Sequence, residues 1–311
     1  MQPKFSSQAP PPQSAEDTHA QTGQADAART GQGQAGEGQA GEAQTDEAKA
    51  DEARAVEGQA IEGQQAIEEQ AEHIVTDLPV LYADEVLAVI DKPAGLMVHD
   101  SALARGETDF VADRLREQFG RPIFLVHRLD RATSGCLLLA FDRETASALG
   151  KVLMSREVEK DYWAICRGWP AQDAFEVDHD LDGGPGKPLK KPAQTHFQVL
   201  ARTELALPSS GFETSRYALL RAQPQTGRFR QIRRHLKHLS HHLIGDTSHG
   251  DGRHNRSFRM MGIHRMLLHA RRLAFVHPRS GERMQVIAPV DAEFAKALAL
   301  FGDVELGDGS F

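Results

Sequence analysis

The sequence predicts an α+β fold, and three observations carry that expectation. Short, continuous apolar runs of strand length stand beside segments whose apolar residues recur three or four positions apart, so both periods are present. The two kinds follow one another without the strand–helix–strand alternation of a parallel α/β sheet. Beyond a low-complexity beginning, roughly 235 residues remain, enough for one large domain or two close lobes.

The elements can be justified in chain order. Leu87-Ala88-Val89-Ile90 is an apolar strand that ends at Lys92-Pro93. Val111, Leu115 and Phe119 recur every four residues and Gly120 follows, which predicts a short helix with a glycine stop. Ile123-Phe124-Leu125-Val126 and Cys136-Leu137-Leu138-Leu139-Ala140-Phe141 read as two buried strands. Asp142 can cap a helix running to about Arg156, and Tyr162–Gly168 reads as a strand. If 228–239 is helical, Ile232, Leu236 and Leu239 share one face, while Arg230, Arg233, Arg234 and Lys237 occupy the other. Phe294, Leu298 and Phe301 give a final helix one apolar face.

The first 72 residues carry 4 Lys+Arg against 14 Asp+Glu, a net of −10, and the remaining 239 carry 32 against 30, a net of +2. The acidity of the chain therefore belongs to its beginning. Residues 1–76 are rich in Gly, Gln, Ala and Glu, with near-repeats such as GQGQAGEGQAGEAQ, and hold too little apolar surface to offset ordering entropy. They are expected to be disordered, with 77–303 as the folded domain and 304–311 as a short tail. No apolar run follows Lys4 to form a signal peptide, and no stretch approaches the ~20 apolar residues of a membrane span. Cys136 and Cys166 both fall in apolar strand patterns and read as free thiols of a reducing, cytoplasmic compartment.

Between the two strands at 123–126 and 136–141 lies HRLDRATSG, His127–Gly135. A polar loop held at both ends by buried strands is a good place to fix a reactive group. Arg128 and Arg131 flank Asp130 and favour its charged form, as a nucleophile or base requires. The same residues, taken alone, also fit a loop aspartate salt-bridged to its neighbours. The 228–239 segment holds no acidic residue, and a single-sign stripe of that kind suits a polyanion such as RNA phosphate. His235, His238, His241 and His242, with His249 and His254 beyond, have spacings that can chelate a metal, yet no Cys lies nearby and there is no HExxH arrangement. No metal or other cofactor is expected.

HRLDxxTSG resembles the signature of the RluA-type pseudouridine synthases, and further blocks occur in that family's order. They are LYADEVLAVIDKPAGLMVH (Leu81–His99), EKDYWAICRGW (Glu159–Trp169), KPAQTHF (Lys191–Phe197), TGRFRQIRRHLKHLSHHLIGD (Thr226–Asp246) and LLHARRLAFVHP (Leu267–Pro278). Together they span roughly residues 79 to 302. SHGDGRHNRS, Ser248–Ser257, is similar to a branch of the family that acts on tRNA.

The resemblance implies a large, mostly antiparallel sheet with a cleft across its middle. It implies an enzyme that detaches uracil from its ribose, rotates it and rejoins it through carbon, with no cofactor. In that reading Asp130 is the essential carboxylate, Tyr162 stacks on the uracil and takes part in proton transfer, and Arg233 pairs with Asp130. Arg128 helps extrude the target nucleotide, and Arg131, Arg228, Arg230, Arg234 and Lys237 join it in contacting RNA. The implied substrate is tRNA, at uridine 65 in the T-stem region, and the implied enzyme a monomer with no obligate protein partner. Ribosomal RNA is the alternative substrate, and an RNA-binding or RNA-folding module the alternative class. An acidic segment stands where ribosomal-RNA enzymes of the family often carry a basic RNA-binding domain, which favours tRNA. The family's HLxHL, here His235 to Leu239, carries no metal. Two departures stand out: Arg230 where the family commonly has His, and His242 where HPIxGD has Pro.

A chain starting at Asp77 is expected to unfold with the melting temperature of the full chain and to modify RNA at a similar rate, because residues 1–76 offer no core-forming pattern. A lowered melting temperature or lost activity on truncation would show that the boundary is misplaced.

Overall fold

The computed structural model describes residues 77–302, apart from 101–105, 107, 156 and 210. The segments expected to be disordered, 1–76 and 304–311, lie outside the described residues. Ten strands form one sheet: β1 (Val80–Ala83), β2 (Leu87–Lys92), β3 (Phe124–Leu125), β4 (Ser134–Ala140), β5 (Glu159–Arg167), β6 (Ala174–Asp178), β7 (Gln194–Leu205), β8 (Ser215–Pro224), β9 (Leu268–Val276) and β10 (Arg283–Ile287). Their order is β1-β2-β4-β9-β5-β8-β7-β6, with β10 paired to β9 and β3 to β4. Five α-helices accompany it: α1 (Val111–Phe119), α2 (Arg143–Ser155), α3 (Gln231–His238), α4 (Gly252–Met260) and α5 (Ala292–Leu298), the last continuing as a 3-10 turn, Ala299–Phe301. The fold is α+β, and all strand pairs but β4–β9 are antiparallel.

Local chemistry accounts for the helix ends. α1 stops at Gly120, whose φ of 59° suits a residue without Cβ. Asp142 accepts from the Thr145 amide (2.7 Å) at the start of α2, and Asp291 does the same for Phe294 at the start of α5 (2.9 Å). Where sequence patterning and structure differ, the loops explain it. The strand expected over 123–126 is only two residues long, because Val126 onward turns to line a cavity. β4 begins at Ser134, so Ser134 and Gly135 belong to the strand and not to the polar loop. α3 starts at Gln231, not at 228, since Arg230 takes a left-handed conformation (φ 51°) that ends the preceding turn. Leu239 therefore falls past the helix end, and it is exposed, not buried with Ile232 and Leu236.

Apolar residues pack on both faces of the sheet. On one half, Ile90, Leu137, Leu139 and Val98 cover one face, and Val89, Leu138, Leu149 and Phe275 the other. On the other half, Ala164, Leu220, Ile232 and Leu236 pack on one side, and Ile165, Leu219, Phe258 and Phe294 on the other. The halves meet at β4 and β9, a parallel contact of two residue pairs, Ser134↔His269 and Gly135↔Ala270. Beyond it, the same edge of β9 is taken by β10.

Gly135 makes that junction possible. Its φ is 101°, and a Cβ there would lie 2.3 Å from the Ala270 carbonyl oxygen. Gly135→Ala should cost about 3 kcal/mol or more, combining backbone strain with an overlap that neither strand can relieve alone. Gly120→Ala makes a useful control, since φ is also positive but nothing lies within 4 Å of the added atom; its cost should be about 1 kcal/mol. Chemical denaturation of both variants measures the difference, and equal losses would refute the close-approach argument.

Candidate active site

The loop from Val126 to Thr133 hangs between β3 and β4, and backbone bonds hold it against the turn after β2. The Gly95 amide donates to the Arg131 carbonyl at 2.8 Å, and Arg131 Nε donates back to the Gly95 carbonyl at 2.8 Å. Lys92 is fully buried beneath them; its Nζ donates to the carbonyls of Pro93 (2.6 Å) and Arg131 (3.1 Å). Burial lowers this amine to about 7, against the pull of Asp130 in the opposite direction. The His127 ring is held neutral by burial, its pKa pushed down to about 4, and its Nε2 accepts from the Leu138 amide at 3.0 Å. The Thr133 amide closes the loop onto the Asp130 carbonyl at 3.0 Å.

Asp130 is thereby aimed at a cavity of about 640 Å³. Its carboxylate accepts from Arg233 Nη1 of α3 at 2.7 Å, and 21% of the side chain remains exposed. Arg233 reaches Asp130 because its other two donors are already fixed: Nε and Nη2 donate to the two oxygens of Asp246 at 2.7 and 2.8 Å. Asp246 also accepts from the amides of Ser248 and His249. Burial alone would raise the Asp246 pKa, but the Arg233 bonds and these two amides outweigh it and hold the carboxyl below its ordinary range. Arg233 is likewise pulled down by burial and more than restored by its two carboxylates.

Tyr162 comes from β5, on the far side of β9, and lines the same cavity. Burial, followed by the nearby Asp130 charge, raises its hydroxyl well above the usual tyrosine range. The phenol is thus neutral at rest and holds its proton. Leu125, Leu129, Ile232 and Leu268 supply apolar wall.

The loop before α3 is tied down by a residue that sequence reasoning passed over. Gln231 Oε1 accepts from the Thr226 hydroxyl (2.7 Å) and the Arg228 amide (3.0 Å), while its Nε2 donates to the Gln194 carbonyl (2.8 Å) and Thr195 hydroxyl (2.9 Å). Asp246 and Lys92 were likewise within quoted motifs but unassigned. Ser134 anchors the junction behind the loop. His269 Nε2 faces the Ala288 carbonyl (3.2 Å), which can only accept, so Nε2 donates and Nδ1 accepts from the Ser134 hydroxyl (2.8 Å). That leaves the Ser134 oxygen to accept from Arg265 Nη2 at 2.8 Å.

The expected stripe of four exposed cations is not what forms. Arg233 is buried in its ion pairs. Arg234 Nη2 donates to Asp182 at 2.8 Å and its Nη1 to the Asp182 carbonyl at 3.0 Å. Arg230 leaves the helix and lies over the Phe229 ring, 4.8 Å from its centroid, lining the cavity. Lys237 alone of the four stands exposed on the helix. Arg128 is exposed where the cavity opens, and Arg228, also on its lining, donates from Nε to the Pro192 carbonyl at 3.0 Å. Arg131 is exposed but turned toward Gly95.

Four of the six histidines have hydrogen-bond partners in the protein, whereas His249 Nε2 is buried with none among the described residues. His235 bonds the Thr195 hydroxyl and the His179 carbonyl, His241 the Arg167 carbonyl, and His254 the Tyr217 hydroxyl. His242, in place of the family's Pro, donates from Nδ1 to the His249 carbonyl at 2.8 Å and so braces the segment that carries Asp246.

An aspartate bonded to a guanidinium and a protonated tyrosine share one cavity at the middle of this sheet, as an enzyme's active site does. The family of RNA pseudouridylate synthases matches residues 86–238. The tRNA pseudouridine synthase C of Vibrio parahaemolyticus is 41% identical over 234 residues, covering 72% of this chain and 95% of that protein. Its counterpart in Vibrio cholerae is 42% identical over 235 residues, 72% of this chain and 96% of that one. Among solved structures, human RNA Pseudouridylate Synthase Domain Containing 4 superimposes with a TM-score of 0.56 at 26% identity, over 72% of this chain and 92% of that chain. The chain belongs to the RNA pseudouridylate synthase family and is of the RluA type.

Asp246→Asn tests the bracing of Arg233. Leaving a buried guanidinium with one carboxylate in place of two should cost about 3 kcal/mol near neutral pH. The folded pKa of Asp246 is depressed, so its stabilisation is present above the ordinary carboxylate pKa and is lost as pH falls through the folded value. The stabilities of wild type and Asp246→Asn should therefore converge as pH falls below the ordinary carboxylate pKa of about 4. A gap that stays constant below that pKa would mean Asp246 is not an ionised partner.

Proposed function

We propose that this chain isomerises a uridine of tRNA to pseudouridine, with uridine 65 as the target and Asp130 as the essential carboxylate. The observation that carries the reading is the Asp130 carboxylate, bonded to Arg233 and open to a cavity that Tyr162 also lines. The names of the relatives above supply the substrate class, and Ser248–Ser257 the branch within it. A soluble cytoplasmic enzyme is consistent with this; among the described residues no helix is long and apolar enough to cross a membrane.

The geometry suits each step the reaction needs. The flipped uracil enters between the Tyr162 ring and the apolar wall, which excludes water. Unstacking it costs a few kcal/mol, which the cations at the cavity mouth offset through the phosphates. Asp130 attacks or withdraws a proton at the sugar–base junction, and Arg233 steadies its charge and orientation. The Tyr162 ring stacks on the base, and its hydroxyl relays the proton that C5 loses once bonded to C1′ and that N1 regains, so that no proton is gained or lost overall. Arg128, exposed beside Asp130, takes the gap left in the stack. Arg230 and Lys237 contact phosphate directly. Arg234 acts through Asp182, and Arg228 and Arg131 hold loops as well as adding positive charge.

Asp130→Asn should bring pseudouridine formation to background while the tRNA dissociation constant changes by less than about threefold, since phosphate contacts supply most of the affinity. Arg233→Ala should likewise abolish turnover with affinity kept, and Arg233→Lys should recover only part, because a point charge does not reproduce the guanidinium fork. Arg230→Ala should weaken binding and flatten its salt dependence by about one counterion. Single-turnover rates and dissociation constants on unmodified tRNA measure all four, with mapping at uridine 65. Turnover by Asp130→Asn within about tenfold of wild type would remove the aspartate from its role. Pseudouridine in ribosomal RNA alone would replace the substrate.

A further inference from the structure

The cavity holds a second cation that the reading above does not use. Lys160 lies on β5, two residues before Tyr162, and both line the cavity. Side chains two apart on a strand share a face and stand about 6.6 Å apart along it. The residues between and beside them turn away and are fully engaged. Asp161 is buried and accepts from Arg221 and Arg272 (both 2.8 Å) and from Gln223 (2.7 Å). Glu159 is taken by Arg272 (3.0 Å) and Arg283. Lys160 thus sits between two acids and is neutralised by neither. Among the described residues, nothing accepts a hydrogen bond from its amine, in contrast to Lys92, whose amine has two carbonyls.

Burial depresses the Lys160 pKa. A half-buried ammonium with no protein acceptor has lost part of its hydration free energy, the rest being kept by solvent in the open cavity. An anion entering the cavity would recover the lost part. A uridine inside an RNA chain brings two anions, its flanking phosphates, and none on the uracil itself.

We infer that Lys160 binds one of the two phosphates flanking the target uridine and so positions the flipped nucleotide over Tyr162. This rests on the RNA-modifying reading of the site, which it deepens. Lys160 is a positioning residue in this scheme: it touches the backbone of the substrate, not the atoms whose bonds change. Its phosphate lies inside the cavity, unlike those met by the exposed Lys237, so the contact forms only when the nucleotide is flipped. It should therefore act on the rate of reaction more than on the affinity for the intact stem.

The test uses the full-length protein and a T-arm minihelix whose phosphates can be neutralised one at a time as methylphosphonates, 5′ or 3′ of the target. Lys160→Met keeps the aliphatic stem and removes the charge, and it should slow the single-turnover reaction of unmodified RNA by about 10- to 100-fold, the range for a lost hydrogen bond to a charged group. At one of the two linkages, methylphosphonate should slow wild type by a similar factor and leave Lys160→Met no slower than before. Lys160→Arg, which retains charge, should keep the wild-type sensitivity, and it supplies the comparison if the Met variant fails to fold. Losses that multiply at both linkages would overturn the inference, since charge and phosphate would then act independently. A Lys160→Met defect that appears as a changed pH profile, with wild type indifferent to both methylphosphonates, would make the amine a proton carrier and also overturn it. If wild type forms no pseudouridine on unmodified RNA, the functional reading fails instead, and the two failures are distinguishable.

Discussion

One guanidinium shared between two carboxylates sets the geometry on which the site depends. Arg233 has five N–H donors in a rigid plane. Asp246 takes two of them side by side, which fixes that plane and leaves Nη1 pointing at Asp130. Asp246 is in turn fixed from behind, by the Ser248 and His249 amides and by Asn255, whose Nδ2 donates to its carbonyl at 2.9 Å. The close approach of Gly245 to the Arg265 carbonyl, where a Cβ would stand at 2.1 Å, holds the start of that turn. The aim of the aspartate is thus decided by a loop more than a hundred residues further along the chain. Two carboxylates against one arginine leave this triad negative, and Lys92 and Arg230, both of which feel Asp130, oppose that charge from either side. A buried triad of this kind is costly in itself, and breaking it is costlier, so it persists as one unit or not at all.

The sheet places the remaining groups around that unit. β9 lies between β4, whose leading end carries the Asp130 loop, and β5, which carries Tyr162. The β4–β9 contact consists of two residue pairs at the start of β4, directly after the Asp130 loop. Gly135 allows the approach and Ser134 secures it through His269 and Arg265. The small residues Ser134 and Gly135 after the loop are therefore explained by strand packing.

Much of this was legible in the sequence, and what was not has a common cause. Strands at 87–92, 134–140 and 159–167, and helices at 111–119, 143–155 and 292–298, follow from local apolar spacing and end signals. The Asp130 loop was visible because it interrupts two apolar runs. β6, β7, β8 and β10 drew no reading; β7, for instance, alternates only at its start and then runs half-exposed. The basic stripe on α3 was misread for a different reason. The segment contains no acidic residue, so its cations looked unopposed, but their partners come from elsewhere: Asp182 for Arg234, and Asp130 and Asp246 for Arg233. Periodicity shows which residues share a face, and it is silent on what that face meets. The resemblance to a family supplied the one long-range pair that spacing could not, Asp130 with Arg233.

That misreading separates two kinds of cation that composition treats alike. Arg233 and Arg234 are bound by carboxylates and carbonyls of the protein, so their charge is spent on shape. Among the described residues, no carboxylate bonds the nitrogens of Arg128, Arg230 or Lys160, which line the cavity, and Lys237 stands exposed on α3. On the proposed function, it is this second group that would exchange water for phosphate. Arg230 shares the cavity with Asp130 and feels its charge. Arg233, held by Asp246 on one side and by Asp130 on the other, has its fork committed within the protein, which sets it apart from the cations that line the cavity.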